Sequence, residues 1–277
     1  NNFISLFYAD FFPRATKRQG AWMSVFKDQG LNSNGEIQRP HIINVCNFTK
    51  PTKTKPSLLT LDEVLTLYHE FGHGLHGMLT KCKYKDLSGT NVFWDFVELP
   101  SQIMENWVLE KECLDLFAVH YETGEKIPET LITKIKESGK FLEGLGTLRQ
   151  LSFGFLDMAY HTANPADIKD IKSFEDAAIK DCSLLPSFAG TSISTSFSHI
   201  FAGGYSAGYY SYKWAEVLDA DAFEYIKSKG VFNKEVAGKF KEHILERGGT
   251  EHPMELYKKF RGQEPDVNAL LKRAGLQ

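Results

Sequence analysis

The sequence from residue 60 to residue 80 has the pattern of an amphipathic helix that begins with an N-terminal capping motif. This predicted helix contains two histidines. Thr60 and Glu63 are spaced as a capping box, in which the Thr side chain accepts a first-turn N–H and the Glu side chain reaches back. Apolar residues then recur at helical spacing to the end of the stretch. His69 and His73 are four residues apart within it, so their imidazoles lie one above the other on one helix face.

Two imidazoles placed in this way can bind one zinc ion, and Glu70 between them can address the nucleophilic water. A zinc hydrolase also needs a third protein ligand and an open fourth position. We predict Glu98 as that ligand, because it follows His69 by 29 residues, which lets a second helix return beside the first. Its neighbours are apolar, so an unpaired charge there would be costly. Asp95 or Glu105 could accept a hydrogen bond from a ligand imidazole.

The predicted site therefore holds one Zn²⁺ per chain between His69, His73 and Glu98, with Glu70 as the catalytic carboxylate. His76 follows His69 by seven residues and shares its helix face. Two roles stay open for His76, a place at the site or a buried position in the core.

A second feature is the longest stretch without Asp, Glu, Lys or Arg, which runs from Cys182 to Tyr212. If a helix starts near Gly204, then Tyr205, Tyr209 and Tyr212 stand on one of its faces. Their phenol groups could donate to an oxyanion or bind a substrate backbone. The alternative is an aromatic stripe that belongs to the core.

The rest of the chain predicts a mainly α protein. Residues 1–56 contain short β-prone runs and predict a small antiparallel sheet near the active site, whereas residues 57–277 have a helical pattern. The 277 residues are 42% hydrophobic, enough for one domain over 1–277. Helices are predicted over 60–80, 91–121, 128–160, 165–181, 205–228, 233–247, 253–261 and 266–274.

Three motifs carry a family resemblance. They are HEFGH at 69–73, DFVELPSQ at 95–102 and FSHIFAGGYSAGYYSY at 197–212. With these motifs the chain resembles the thimet oligopeptidase, neurolysin, oligopeptidase A and peptidyl-dipeptidase family of zinc metallopeptidases. The resemblance extends to both ends of the sequence.

The resemblance implies a zincin-type helical metallopeptidase catalytic domain, with the zinc ligands and catalytic carboxylate given above. It also places tyrosines of the 197–212 motif, and His199, at the substrate. The predicted catalytic residues besides Glu70 are Tyr212, Tyr209 and His199. The predicted substrate-binding residues are Tyr205, Asn47, Gly203 and Gly204.

The resemblance further implies that an extended peptide pairs with a strand edge, and Asn44 to Phe48 is the predicted stretch. The alternative is an ordinary internal strand. Family members are much longer, with a helical N-terminal half that forms the opposite wall of a channel for short peptides. We therefore expect this chain, which starts at Asn1 rather than at a methionine, to be a fragment that lacks that half.

The predicted function is zinc-dependent hydrolysis of peptide bonds in short oligopeptides, by an oligopeptidase or a peptidyl-dipeptidase. The alternative is a zinc-bearing fragment that binds peptides with little turnover. A purely structural zinc site is disfavoured, because such sites are usually closed by four Cys or His ligands.

Composition limits the partners and the location. The net charge is −3, from 32 basic and 35 acidic residues, so the chain lacks the basic excess that nucleic-acid binding requires. No stretch predicts a membrane span. The four cysteines are widely spaced and predict buried free thiols. We expect a cytoplasmic monomer whose partners are short peptides.

Overall fold

The computed structural model describes residues 3–277 and places a mixed sheet before the helices. Its strands are β1 (Leu6–Asp10), β2 (Trp22–Lys27) and β5 (His41–Val45), in the order β1-β5-β2. A small hairpin, β3 (Gly30–Leu31) with β4 (Ile37–Gln38), lies between β2 and β5 in the sequence.

We predicted an antiparallel sheet, but the observed sheet is mixed. Strand β1 runs parallel to β5, and β2 runs antiparallel to it. The chain reverses at β2 and again before β5, so β5 regains the direction of β1 and inserts between the two earlier strands. The prediction of a free edge at Asn44 to Phe48 is therefore wrong. Met23 pairs with Asn44 on one side. On the other side the N–H of Phe48 donates to the carbonyl of Phe11 at 2.8 Å.

The remaining chain is mainly helical, as predicted. The helices are α1 (Leu61–Leu79), α2 (Leu99–Glu105), α3 (Lys111–Leu114), α4 (Glu129–Gly139), α5 (Glu143–Thr162), α6 (Ile171–Ile179), α7 (Ser198–Phe201), α8 (Ser211–Lys229), α9 (Lys234–Phe240), α10 (Pro253–Arg261) and α11 (Val267–Arg273). Among the helices of residues 3–277, none has the length and apolar character needed to cross a bilayer.

Several predicted helices are shorter or interrupted. The one over 165–181 is an α-helix only in α6, with 3₁₀ turns on both sides, and the one over 233–247 passes from α9 into a π-helical turn at Lys241–Leu245. The predicted helix over 91–121 breaks into α2, α3 and short 3₁₀ turns. The one over 128–160 is interrupted between α4 and α5, where Leu142 has a φ of +59°. The one over 205–228 begins only at Ser211, because Ala207 has a φ of +53°, which a right-handed helix does not accommodate.

Helix α1 begins as predicted and packs unusually close to its neighbours. Thr60 and Glu63 form the complete capping box. A Cβ atom on Gly72 would lie 2.2 Å from the carbonyl oxygen of Pro100, so only glycine allows this approach of α2. On the sheet side, a Cβ on Gly77 would lie 2.7 Å from Ile42. Close packing of α1 on α2 brings the residue that precedes α2, Glu98, beside the histidines of α1.

Within residues 3–277, many of the buried apolar side chains belong to two clusters. The larger one joins residues of α2, α8 and α10 and includes Leu99, Ile103, Leu218 and Tyr257. The smaller one contains Leu156 of α5 together with Phe197 and Ile200, with tyrosines of the 205–210 segment packed against it. All four cysteines are free and buried, which confirms that prediction.

Candidate metal and catalytic site

The structure brings the three predicted metal ligands together. Glu98 Oε2 lies 3.2 Å from His69 Nε2 and 3.3 Å from His73 Nε2. One possible ligand atom from each residue falls within 4.8 Å of the others. The capped helix α1 sets the spacing of the imidazoles, and the tight contact between α1 and α2 supplies the carboxylate.

The arrangement fits a zinc ion. His69 Nδ1 lies 2.7 Å from Glu105 Oε1, a contact that turns Nε2 of the same ring toward Glu98. Two imidazole nitrogens and one carboxylate oxygen are a known donor set of catalytic zinc sites, which leave a fourth position open. Glu98 is only 2% exposed, so its charge requires a cationic partner at this point.

The electrostatics of the ligands also favour a cation here. Burial raises the pKa of Glu98, but hydrogen bonds from His69 and His73 outweigh this effect and hold the pKa well below its usual value. Burial lowers the pKa of His69, whereas hydrogen bonds to Glu105 and Glu98 raise it to about 10. The carboxylates thus stabilise positive charge between the rings.

Two further side chains hold the carboxylate of Glu98. Ser101 Oγ donates to Glu98 Oε2 at 2.8 Å, and the Tyr205 hydroxyl donates to Oε1 at 2.6 Å. Sequence reasoning missed Ser101, although its i+3 spacing from Glu98 is a signal that could have found it. Of the two predicted acceptors for a ligand imidazole, Glu105 takes that position. Asp95 instead accepts from the Tyr210 hydroxyl at 3.0 Å.

Glu70 is buried beside the ligands and is 6% exposed. Burial raises the pKa of its carboxyl. Its Oε2 atom has no hydrogen-bond partner among the residues that the structure describes. An unpaired buried carboxylate oxygen is costly, so this atom is available for a water or a substrate group.

The three tyrosines converge, but not for the predicted reason. Tyr205 and Tyr209 precede α8, so the prediction that the three tyrosines share one helix face is wrong. Their rings still gather around Tyr212, with centroid distances of 4.9 Å from Tyr205 and 5.1 Å from Tyr209. Burial raises the pKa of all three phenols, which therefore remain protonated donors at neutral pH. The Tyr205 hydroxyl is already engaged by Glu98.

Residues 1–276 match Peptidase family M3. The chain belongs to Peptidase family M3. This membership confirms the resemblance seen in the motifs, and it makes the chain part of a metallopeptidase family.

Two relatives and one solved structure describe the similarity. Oligopeptidase A of Salmonella typhimurium is 46% identical over 279 residues, which cover 100% of this chain and 41% of that protein. Dipeptidyl carboxypeptidase of Escherichia coli is 40% identical, over 99% of this chain and 40% of that protein. A putative oligoendopeptidase F from Bacillus anthracis shares the fold, with a TM-score of 0.56 at 14% identity over 97% of this chain and 39% of that one. The M3 chain thus spans about two fifths of the length of these relatives.

Four other predicted site residues have local partners in the M3 chain. His199 is exposed, and its ring centroid lies 6.0 Å from that of Tyr205. Gly203 packs against the backbone of His199, and Gly204 has a φ of +89°. The Asn47 amide donates to the carbonyls of Arg18 and Gly20, at 2.9 and 2.8 Å. Packing or turn geometry accounts for each of these residues, so their substrate contacts stay predictions.

His76 is not one of the three grouped ligands. Burial lowers its pKa to about 3, so the ring is neutral. Both ring nitrogens are buried without a hydrogen-bond partner within residues 3–277. Of the two roles left open by the sequence, the structure supports a core position.

An apolar cavity of about 800 Å³ lies against α1 but does not contain the metal ligands. Leu67, Phe71 and Leu75 line it from α1, and Trp107 lines it from the segment after α2. The cavity is not the candidate catalytic site, because neither the three metal ligands nor Glu70 line it.

Replacing His73 with Ala is expected to remove most of the bound zinc, because it leaves one imidazole and one carboxylate of the donor set. The zinc-to-protein ratio after dialysis against trace zinc measures this. His120→Ala, at an exposed position outside the helices, is the control and should keep its zinc. Full zinc in the His73 variant would show that the ligand assignment is wrong.

Proposed function

We propose that this chain carries the catalytic centre of a zinc peptidase that hydrolyses peptide bonds in short oligopeptides. The observation that carries the proposal is the convergence of His69, His73 and Glu98 on one point, next to the unpaired carboxylate of Glu70. Names of the relatives, an oligopeptidase and a dipeptidyl carboxypeptidase, support peptides as substrates. One zinc ion per chain, a monomeric state and a cytoplasmic location complete the proposal. The free thiols of all four cysteines are consistent with a reducing compartment.

His69, His73 and Glu98 would hold the zinc, while Glu105, Ser101 and Tyr205 orient these ligands. Zinc, when bound, lowers the pKa of a coordinated water to about 7 and polarises a carbonyl group. The unpaired Oε2 of Glu70 accepts a proton from the attacking water. Glu70 then delivers that proton to the leaving amine, so the carboxylate is regenerated after each turnover.

The oxyanion that forms at the scissile carbonyl needs a hydrogen-bond donor. Tyr212 is the proposed donor, because its ring stacks at 4.9 Å on Tyr205, whose own hydroxyl is already engaged by the metal ligand Glu98. Tyr209 packs against Tyr212 and is the second donor. His199 lies at the exposed rim of this group, where it can contact the substrate.

The alternative is a zinc-bearing fragment that binds peptides with little turnover. The chain spans 41% of the length of oligopeptidase A, so contacts that the rest of that protein could make with a substrate are not among the described residues. Efficient turnover requires the substrate to be held in register, since misplacement by about 1 Å can cost on the order of 10²-fold.

Mass spectrometry of products from a ladder of short peptides distinguishes the two functions. The zinc content is measured on the same sample, and the Glu70→Gln variant is the matched control. Discrete products from the wild-type chain alone would support the peptidase. Peptide binding at full zinc occupancy, with no products above the control, would replace that proposal by the binding alternative.

A further inference from the structure

The loop that carries Tyr205 and Tyr209 is held by one buried carboxylate that no step above uses. Asp157 lies in α5 and is fully buried. Its Oδ1 accepts the N–H of Ala207 at 2.9 Å, and its Oδ2 accepts the N–H of Tyr209 at 2.8 Å. Both carboxylate oxygens thus bind backbone amides of the loop over 205–210, from an element about 50 residues earlier.

The loop has an uncommon backbone conformation at this contact. Ala207 has a φ of +53°, a left-handed conformation that is uncommon for residues other than glycine, asparagine and aspartate. This conformation turns the amides of Ala207 and Tyr209 toward the same point, where they form an anion-binding concavity. A carboxylate with two charge-assisted hydrogen bonds compensates for the strained backbone.

The two tyrosines that flank this contact have side-chain partners of their own. The amide of Tyr209 is held directly, and its ring packs on Phe153, one turn before Asp157 in α5, at a centroid distance of 5.5 Å. Tyr205 opens the loop and donates to Glu98. Displacement of the loop would therefore move both the second oxyanion donor and the hydroxyl that holds a metal ligand.

We propose that Asp157 is a positioning residue for the peptidase reaction: it clamps the 205–210 loop so that the hydroxyls of Tyr205 and Tyr209 reach the catalytic centre. This proposal rests on the proposed function. It adds to that function a residue that does not touch the reacting atoms, the carboxylate of α5 that holds the tyrosine loop. His161 Nδ1 lies 2.8 Å from Asp157 Oδ1, so His161 shares the clamp from within the same helix.

Asp157→Asn is the test variant, because Asn keeps the shape but replaces one acceptor oxygen by an NH₂ donor. Amide hydrogen exchange at Ala207 and Tyr209 should become roughly tenfold to hundredfold faster in the zinc-loaded protein. The value of kcat should fall by about 10²-fold, with little change in KM or in bound zinc. Glu175→Gln is the matched control. Glu175 is also a buried carboxylate, and it accepts the N–H of Ser194 in a neighbouring loop at 2.8 Å.

A double-mutant cycle separates positioning from general destabilisation. In a Tyr205→Phe/Tyr209→Phe background, which lacks the two hydroxyls of the loop, Asp157→Asn should lower kcat by no more than about threefold. An equal loss of kcat in both backgrounds would overturn the proposal. So would a loss no larger than that of Glu175→Gln at equal thermal stability, or wild-type kcat despite faster exchange at the two amides.

Two variants keep the outcomes distinct. If Asp157→Asn does not fold, Asp157→Glu keeps the charge but shifts the oxygens by one methylene group, and a folded variant with wild-type kcat would overturn the clamp. Glu70→Gln leaves the clamp intact and reports on the proposed function alone. Wild-type turnover in Glu70→Gln would remove that function, whereas an inactive Glu70→Gln beside a fully active Asp157→Asn would remove only the positioning role.

Discussion

Replacing Glu70 with Gln is expected to leave zinc binding intact and to lower kcat by about 10²–10⁴-fold. Gln has the shape of Glu and can still hydrogen-bond a water, but its amide cannot accept a proton. The buried Oε2 of Glu70 has no hydrogen-bond partner in the described part of the chain, so in the wild-type protein it is free to take up that proton.

Steady-state kinetics on a short peptide, at equal zinc content, measures this effect. Glu63→Gln is the control, because Glu63 lies in the same helix but closes the capping box at its start. That variant should lose some stability and keep its kcat. Turnover near the wild-type rate in Glu70→Gln would exclude Glu70 as the proton acceptor and, with it, the proposed mechanism.

Replacing Tyr212 with Phe is expected to lower kcat by about 10²–10³-fold, with a much smaller change in KM. The hydroxyl is proposed to donate to the oxyanion, which exists only in the transition state and the tetrahedral intermediate. Loss of an interaction made only there lowers kcat and leaves ground-state binding nearly unchanged.

The separation of kcat from KM is therefore the decisive measurement for Tyr212. Tyr225→Phe is the matched control, since Tyr225 lies in the same helix, α8, and packs against Phe260 in the larger core. Its kcat should equal that of the wild type. A change in KM alone for Tyr212→Phe would make Tyr212 a substrate-binding residue and would favour Tyr209 or His199 as the oxyanion donor.

Local spacing determined much of the candidate site without the structure. The capping box of Thr60 and Glu63 and the four-residue spacing of His69 and His73 depend only on helix geometry, which any right-handed helix reproduces. The apolar surroundings of Glu98 marked it as a buried charge in need of a cation. Its carboxylate does lie within 3.3 Å of both imidazoles. The extended motifs also identified the family that the comparison then confirmed.

Contacts between distant segments decided the rest. Strand β5 is central rather than at an edge because two separate strands flank it, and no periodicity within 44–48 encodes that pairing. The tyrosines converge across a left-handed turn at Ala207, whose N–H donates to the carboxylate of Asp157 in α5, about 50 residues earlier. The prediction that the tyrosines lie close together is therefore correct, but the helix face that it assumed does not exist. Sequence patterns report the interactions of residues within a few turns, whereas the strand order and the clamp arise from tertiary contacts.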